Sequence, residues 1–219
     1  MLFRSSNGFA SFIENSYTKT QVTGKTRVGG LIGYIKRDGV YNLRFSQVYT
    51  VGDVSGSQNV GGIVGEAYAA HANQATVIEN AFALGNISGS QYIGGIAGKI
   101  FGTNINKTYV TGDIKGNSYV GGLVGRIEYS SAQNSFALNN SVDGNSKVGK
   151  LVGDVYNHST NNLSVISTMS GKGNDDYVNQ TITPQQALQL MTYNLVGFDF
   201  GIFTGNPIWG IDEGESLPY

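Results

Sequence analysis

Val60-Gly61-Gly62-Ile63-Val64-Gly65 is one of five copies of a single short phrase, and the copies decide the fold. The others are Val28-Gly29-Gly30-Leu31-Ile32-Gly33, Ile93-Gly94-Gly95-Ile96-Ala97-Gly98, Val120-Gly121-Gly122-Leu123-Val124-Gly125 and Val148-Gly149-Lys150-Leu151-Val152-Gly153. They recur at intervals of 27 to 33 residues. Self-similarity at that period marks a solenoid, because each unit can bury its apolar face only against the next one.

Eleven residues before each of the first four phrases that follow an aromatic stands Tyr17, Tyr49, Phe82 or Tyr109, while Phe136 precedes the fifth by twelve, an insertion that suggests a bulge. Between aromatic and phrase lie Val22, Val54, Ile87, Ile114 and Val142, each followed two residues later by glycine. Short β-branched and aromatic runs punctuated by Gly, Asn and Asp read as strands joined by turns. The reading is all-β: a parallel β-solenoid (β-helix) of about five coils, each of about three short strands. Coils stacked at about 4.8 Å make a column of roughly 24 Å, with like residues above one another. Glycine at the repeated corners serves either positive φ or close approach of neighbouring coils.

The aromatic-to-aromatic steps are 32, 33, 27 and 27 residues, and the surplus in the first two coils falls after the glycine phrase, between Tyr34 and Arg44 and between Glu66 and Thr76. Insertions gathered on one edge of a solenoid mark its variable, and often its binding, edge. After Asn162 the repeat fades. Thr183-Pro184 reads as an N-cap with proline at the first helical position, and Gln185 to Met191 are good helix formers. A short helix with Phe198, Phe200 and the single Trp209 predicts a C-terminal cap over the last coil. The organisation is thus an N-terminal partial coil at 1–16, repeats at 17–162, and a degenerate coil with cap at 163–219.

Composition excludes several classes. Fourteen basic residues against fifteen acidic ones, within 219, give a net charge of −1 and no basic footprint for nucleic acid. No apolar run is long enough for a membrane span, so direct membrane insertion is not expected. Without cysteine the chain has no disulfide and no thiolate metal site. The two histidines, His71 and His158, do not form H-E-x-x-H, so no zinc site, metal or cofactor is expected. They read as exposed loop residues. The start lacks a secretion signal, which suggests a piece of a longer chain with any export signal upstream.

The phrase Val-Gly-Gly-Leu-Val-Gly, preceded by Asn-Ser-Phe or Thr-Tyr and Gly-Asp-Ile, resembles the GLUG motif. The segment from Gly197-Phe198-Asp199-Phe200 through Trp209 to Leu217-Pro218-Tyr219 is similar to the one that often closes GLUG arrays. That family occurs in large bacterial exported and surface proteins, including filamentous-haemagglutinin-like adhesins and the non-catalytic regions of IgA-specific metalloendopeptidases. The resemblance implies an extracellular or cell-surface location and an adhesive, non-catalytic role within a larger exported polypeptide. Its partner would be a glycan or protein on a host or neighbouring cell.

Two residue sets bear on function. Asp53, Asn86 and Asp113 share one repeat position after a glycine. Two aspartates two coils apart could be an inverting carboxylate pair of a polysaccharide-active β-helix, but a position that accepts Asn equally suits a turn-forming Asx column. The in-phase aromatics Tyr17, Tyr49, Phe82, Tyr109 and Phe136 read as core or near-core. Tyr34, Tyr41, Tyr68, Phe101, Tyr129 and Tyr156 lie in the variable connections and are the candidate ligand-binding residues, since tyrosine there can stack on sugars or pack in a protein interface. A purely structural stalk is the remaining reading.

Overall fold

The computed structural model describes residues 2–3, 11–38, 42–70, 76–189, 192–193, 198–199, 209–210 and 215–219. The chain winds into a parallel β-solenoid of about five coils with a short C-terminal helix. Each coil has four strands rather than about three. In the third coil these are Thr76–Leu84, carrying the aromatic; Ile87–Ser88; Gln91–Gly94, entering the glycine phrase; and Ala97–Phe101, leaving it. We call them the aromatic, corner, entry and exit strands. The corner strands form a six-stranded sheet and the entry strands a five-stranded one. Exit and aromatic strands share the eleven-stranded sheet, because in the last two coils they fuse into Val124–Ala137 and Val152–Ile166. In the earlier coils they are separate strands: exit strands end at Arg37, Ala69 and Phe101, and the next aromatic strands begin at Leu43, Thr76 and Thr103.

Register follows the repeat residue by residue. Val28, Val60, Ile93, Val120 and Val148 pair in sequence along the entry sheet. Tyr17, Tyr49, Phe82, Tyr109 and Phe136 do so along the aromatic strands. Side chains alternate across a strand, so one set points into the coil and the other out. The inner set is a continuous apolar column in which Val60, Ile63, Val64, Ile78, Ile93, Ile96 and Ile100 have essentially no exposure, while their equivalents in the end coils, such as Ile13, Leu31, Val148 and Val155, are partly buried.

The second glycine of the phrase is required by close approach. A Cβ on Gly62 would stand 2.2 Å from the carbonyl oxygen of Gly95, and one on Gly95 2.2 Å from that of Gly122. Lys150 breaks the pattern in the fifth copy, where no sixth phrase lies above it; its N–H donates instead to the Asn174 carbonyl at 2.9 Å. The phrase glycines do not carry the positive φ. Left-handed backbone falls on Arg27, Asn59, Tyr92, Tyr119 and Lys147, each just before the phrase, with φ between 53° and 58°. Each such residue costs roughly 1–2 kcal/mol, which the parallel pairing on both sides offsets.

The expectation that the in-phase aromatics are core or near-core holds for Phe82, Tyr109 and Phe136, which are buried, while Tyr17 is 57% exposed. The stack points outward from the coil and forms a second apolar cluster with Leu138, Ile182, Tyr193, Phe198 and Trp209. Tyr193, Phe198 and Trp209 of the C-terminal segment therefore lie beside the aromatic strands, against Phe82, Tyr109 and Phe136, rather than over the last coil. The helix spans Pro184–Ala187; Thr183 caps it, its hydroxyl accepting from Gln186 N–H while the Gln186 amide oxygen accepts from Thr183 N–H. Residues 167–182 form a shortened turn whose strand Gln180–Ile182 pairs with Ser164–Ile166.

Candidate functional site: the outer face of the exit strands

Alternation along the exit strands sends every second residue outward, and coil-on-coil register turns those residues into columns. Tyr34, Glu66, Lys99, Arg126 and Asp154 make one column. Two residues further along, Lys36, Tyr68, Phe101, Glu128 and Tyr156 make the next. The left-handed residues Arg27, Asn59, Tyr92, Tyr119 and Lys147 flank the first.

Charges on this face are balanced across columns. Arg27 Nε donates to Glu66 at 2.7 Å, and the Asn59 amide donates to the same carboxylate oxygen at 2.8 Å. Arg126 reaches Glu128 at 2.7 Å and Asp154 at 3.7 Å, Lys99 reaches Glu128 at 3.2 Å, and Lys147 reaches Asp154 at 2.9 Å. The same cations lie on rings: Arg27 over Tyr34 at 4.1 Å, Lys99 near Tyr92 at 5.7 Å and Arg126 near Tyr119 at 5.4 Å. The hydrogen bond to Glu66 raises the pKa of Arg27, and that to Asp154 raises the pKa of Lys147. Burial pushes the Tyr34 phenol up. A polar depression of about 480 Å³ lies among Arg27, Asn59, Glu66, Tyr92 and Lys99.

Of the six candidate residues, four come together. Tyr68 and Phe101 stack at 4.9 Å, Phe101 and Tyr129 lie 5.2 Å apart and tilted, and Tyr129 meets Tyr156 edge-on at 5.4 Å. Tyr129 sits at the left-handed corner (φ 47°), which swings its ring out of the stack, and Tyr156 beyond it is 55% exposed. Its bond to Tyr156 raises the Tyr129 phenol's pKa. Tyr34 does not join them; it stands one column away, under Arg27. Tyr41 lies outside the described residues. Tyr92 and Tyr119, 4.6 Å apart, were not among the candidates, although their place just before the phrase repeats one coil to the next.

The Asp53 column is a backbone-capping one. Asn86 N–H donates to Asp53 Oδ1 at 2.8 Å, Asp113 N–H to Asn86 Oδ1 at 2.9 Å, and the Ser141 hydroxyl to Asp113 Oδ1 at 2.9 Å. His158 is exposed on a strand rather than in a loop, its ring edge-on to Tyr177 at 5.4 Å. His71 lies outside the described residues. Among the described residues no three Asp, Glu or His side chains gather to hold a metal ion, and no helix is long and apolar enough to cross a membrane.

Neither a family model nor a curated protein matches the chain. Among known structures it is similar to the crystal structure of a candidate immunoglobulin A1 protease from Bacteroides ovatus, with a TM-score of 0.60. The match is 20% identical and covers 99% of this chain and 73% of that one, a likeness of fold.

Proposed function

We propose that the chain is a non-catalytic binding segment of a bacterial surface or secreted protein, which displays the outer face of its exit strands to a protein on a host or neighbouring cell. The observation that carries this reading is the continuous outward row Tyr68, Phe101, Tyr129 and Tyr156, bordered by paired charges. Aromatic anchors and arginine inside a polar rim are the make-up of a protein contact. A glycan is the less favoured partner, because Tyr68 and Phe101 spend their faces on each other and present edges. The resemblance to GLUG arrays supports an exported, adhesive setting. The likeness to a candidate immunoglobulin A1 protease fits a segment attached to such a protein without carrying its chemistry.

The test is binding of the fluorescently labelled chain to intact epithelial and bacterial cells. Binding is expected to disappear with Tyr129→Ala plus Tyr156→Ala, and after trypsin treatment of the cells, and to survive their deglycosylation. Binding that survives trypsin but not deglycosylation would transfer the reading to a glycan. Absence of binding to any cell favours a stalk.

A further inference from the structure

A second concave site lies on the opposite side of the corner, where the C-terminal segment meets the aromatic stack. Tyr17, Tyr49, Phe82 and Tyr109 stack at 4.7 to 5.1 Å with their planes within 10°. Trp209 packs across Phe82 and Tyr109 at 6.0 Å from each, and against Phe198 at 4.8 Å. It is held by its N–H on the Asp199 carbonyl at 3.0 Å and by the paired backbone bonds between Gly210 and Tyr219. Among the described residues the cover thins from there, with Tyr49 half-buried. The stack continues beyond Trp209 to Tyr49 and to Tyr17, which is 57% exposed. The step from covered to bare rings leaves a cleft of about 330 Å³ lined by Tyr17, Tyr49, Phe82, Trp209 and Tyr219 together with Asn15, Gln47 and Asn80.

The amides come from one column of left-handed residues, with φ of 50°, 55° and 49°. Further up that column Asn162 donates to Asn134 at 2.9 Å, so those amides serve each other. Asn80 accepts from the Trp209 indole at 3.4 Å, which ties the wall of the cleft to its floor. Asn15 and Gln47 line the open part.

The chemistry of this lining selects a ligand class. None of the lining side chains is a cation or carboxylate, and Lys19, 5.3 Å from the centroid of the Tyr17 ring, is placed on that ring rather than in the cleft, so a charged ligand would lose hydration without a counter-charge among the lining groups. A wholly apolar ligand would bury amides without partners. The Asn15 and Gln47 amides each carry both a donor and an acceptor, which matches a hydroxyl that is both at once, and the ring walls suit an apolar C–H face. The volume is at the small end of ligand sites. We infer that the cleft between Trp209 and the bare end of the aromatic stack binds a neutral saccharide of one or two rings. It is separate from the exit-strand face and does not rest on the role given to that face.

Trp209 is the sole tryptophan, so its emission reports directly on the cleft. The experiment titrates the full chain with cellobiose, maltose, lactose and N,N′-diacetylchitobiose, with adenosine and sialyllactose as controls. A saturable change with at least one neutral disaccharide, absent with both controls, is expected. Asn15→Gly plus Gln47→Gly, which remove the amides while suiting the left-handed backbone, should weaken that affinity at least about tenfold. Tyr17→Ala, at a mostly exposed ring, should also weaken it, while Tyr129→Ala plus Tyr156→Ala should leave it unchanged. No saturable change with any of the four disaccharides, a response to adenosine alone, or full affinity in both cleft variants overturns the inference.

Discussion

Asp53, Asn86 and Asp113 show how one residue position can be read two ways from a repeat and only one way from its hydrogen bonds. Asp53 and Asn86 each offer a side-chain oxygen to the backbone N–H of the coil that follows, and Asp113 offers its own to the Ser141 hydroxyl, tasks an amide oxygen performs as well as a carboxylate. Asp53→Asn is therefore expected to leave the urea midpoint unchanged, whereas Asp53→Ala should lower stability by about 1 kcal/mol, the usual effect of leaving such an N–H without its acceptor. A carboxylate pair doing chemistry would give the opposite pattern, a functional loss on Asp53→Asn with no change in stability. The same scale shows where the candidate row was legible and where it was not. Counted from the last glycine of the phrase, Tyr68, Phe101 and Tyr156 all stand at the third position and Tyr34 at the first, so the split between columns is present in the sequence. It is invisible while these positions are read as loop, because only on a strand do the first and third positions fall into separate outward columns. Tyr92 and Tyr119 were missed for a different reason: bulky residues in left-handed backbone carry no compositional signal, since glycine, asparagine and aspartate are the residues that announce it.

At the scale of elements, the aromatic strands and the C-terminal segment depend on one another. The repeat predicted the stack itself, because five in-phase aromatics must lie over one another once the coils do. It did not predict which side they face or what covers them, since the covering segment occurs once and has no second copy to fix its register. One phenol attaches it, Tyr109 donating to the Pro218 carbonyl, and a second braces it from within, Tyr193 donating to the Ala187 carbonyl at 2.7 Å while its ring packs on Phe136. Burial pushes both phenols well above the ordinary tyrosine range. The folded chain thus keeps protons that an unfolded tyrosine releases near pH 10, so this contribution is intact below that pH and declines as pH rises above it. Trp209 emission followed from about pH 8 to 12 should report release of the segment, beginning near the ordinary tyrosine pKa. Tyr109→Phe is sterically safe, since Phe82 and Phe136 hold the same place in neighbouring coils. It should lower neutral-pH stability by about 1 kcal/mol and make the alkaline decline shallower.

For the whole molecule, stability is a sum of coils and of the interfaces between them, because a solenoid coil touches only its neighbours. A coil in the middle has two interfaces and the first described coil one stacked entry-strand partner. Gly29 and Gly94 provide a matched comparison: an added Cβ would stand 2.1 Å from the Ile32 carbonyl oxygen in one case and 2.2 Å from that of Ala97 in the other. The local insult is the same. The difference lies in the surroundings, for among the described residues the Gly29 strand pairs only with Gln58–Gly61, while the Gly94 strand pairs with Gln58–Gly61 and with Ser118–Gly121. Either alanine forces backbone apart and should cost about 2–4 kcal/mol locally. Gly29→Ala should then open the first coil alone, with amide hydrogen exchange rising across residues 11–37 and the later coils still protected. Gly94→Ala should raise exchange on both sides of the third coil and lower the global unfolding midpoint, because the break separates the column into two shorter stacks with fewer interfaces each. Equal, chain-wide loss of protection in both variants would mean that Tyr193, Phe198 and Trp209, clustered with Phe136, Tyr109 and Phe82 of three successive coils, couple the coils into one cooperative unit beyond nearest neighbours.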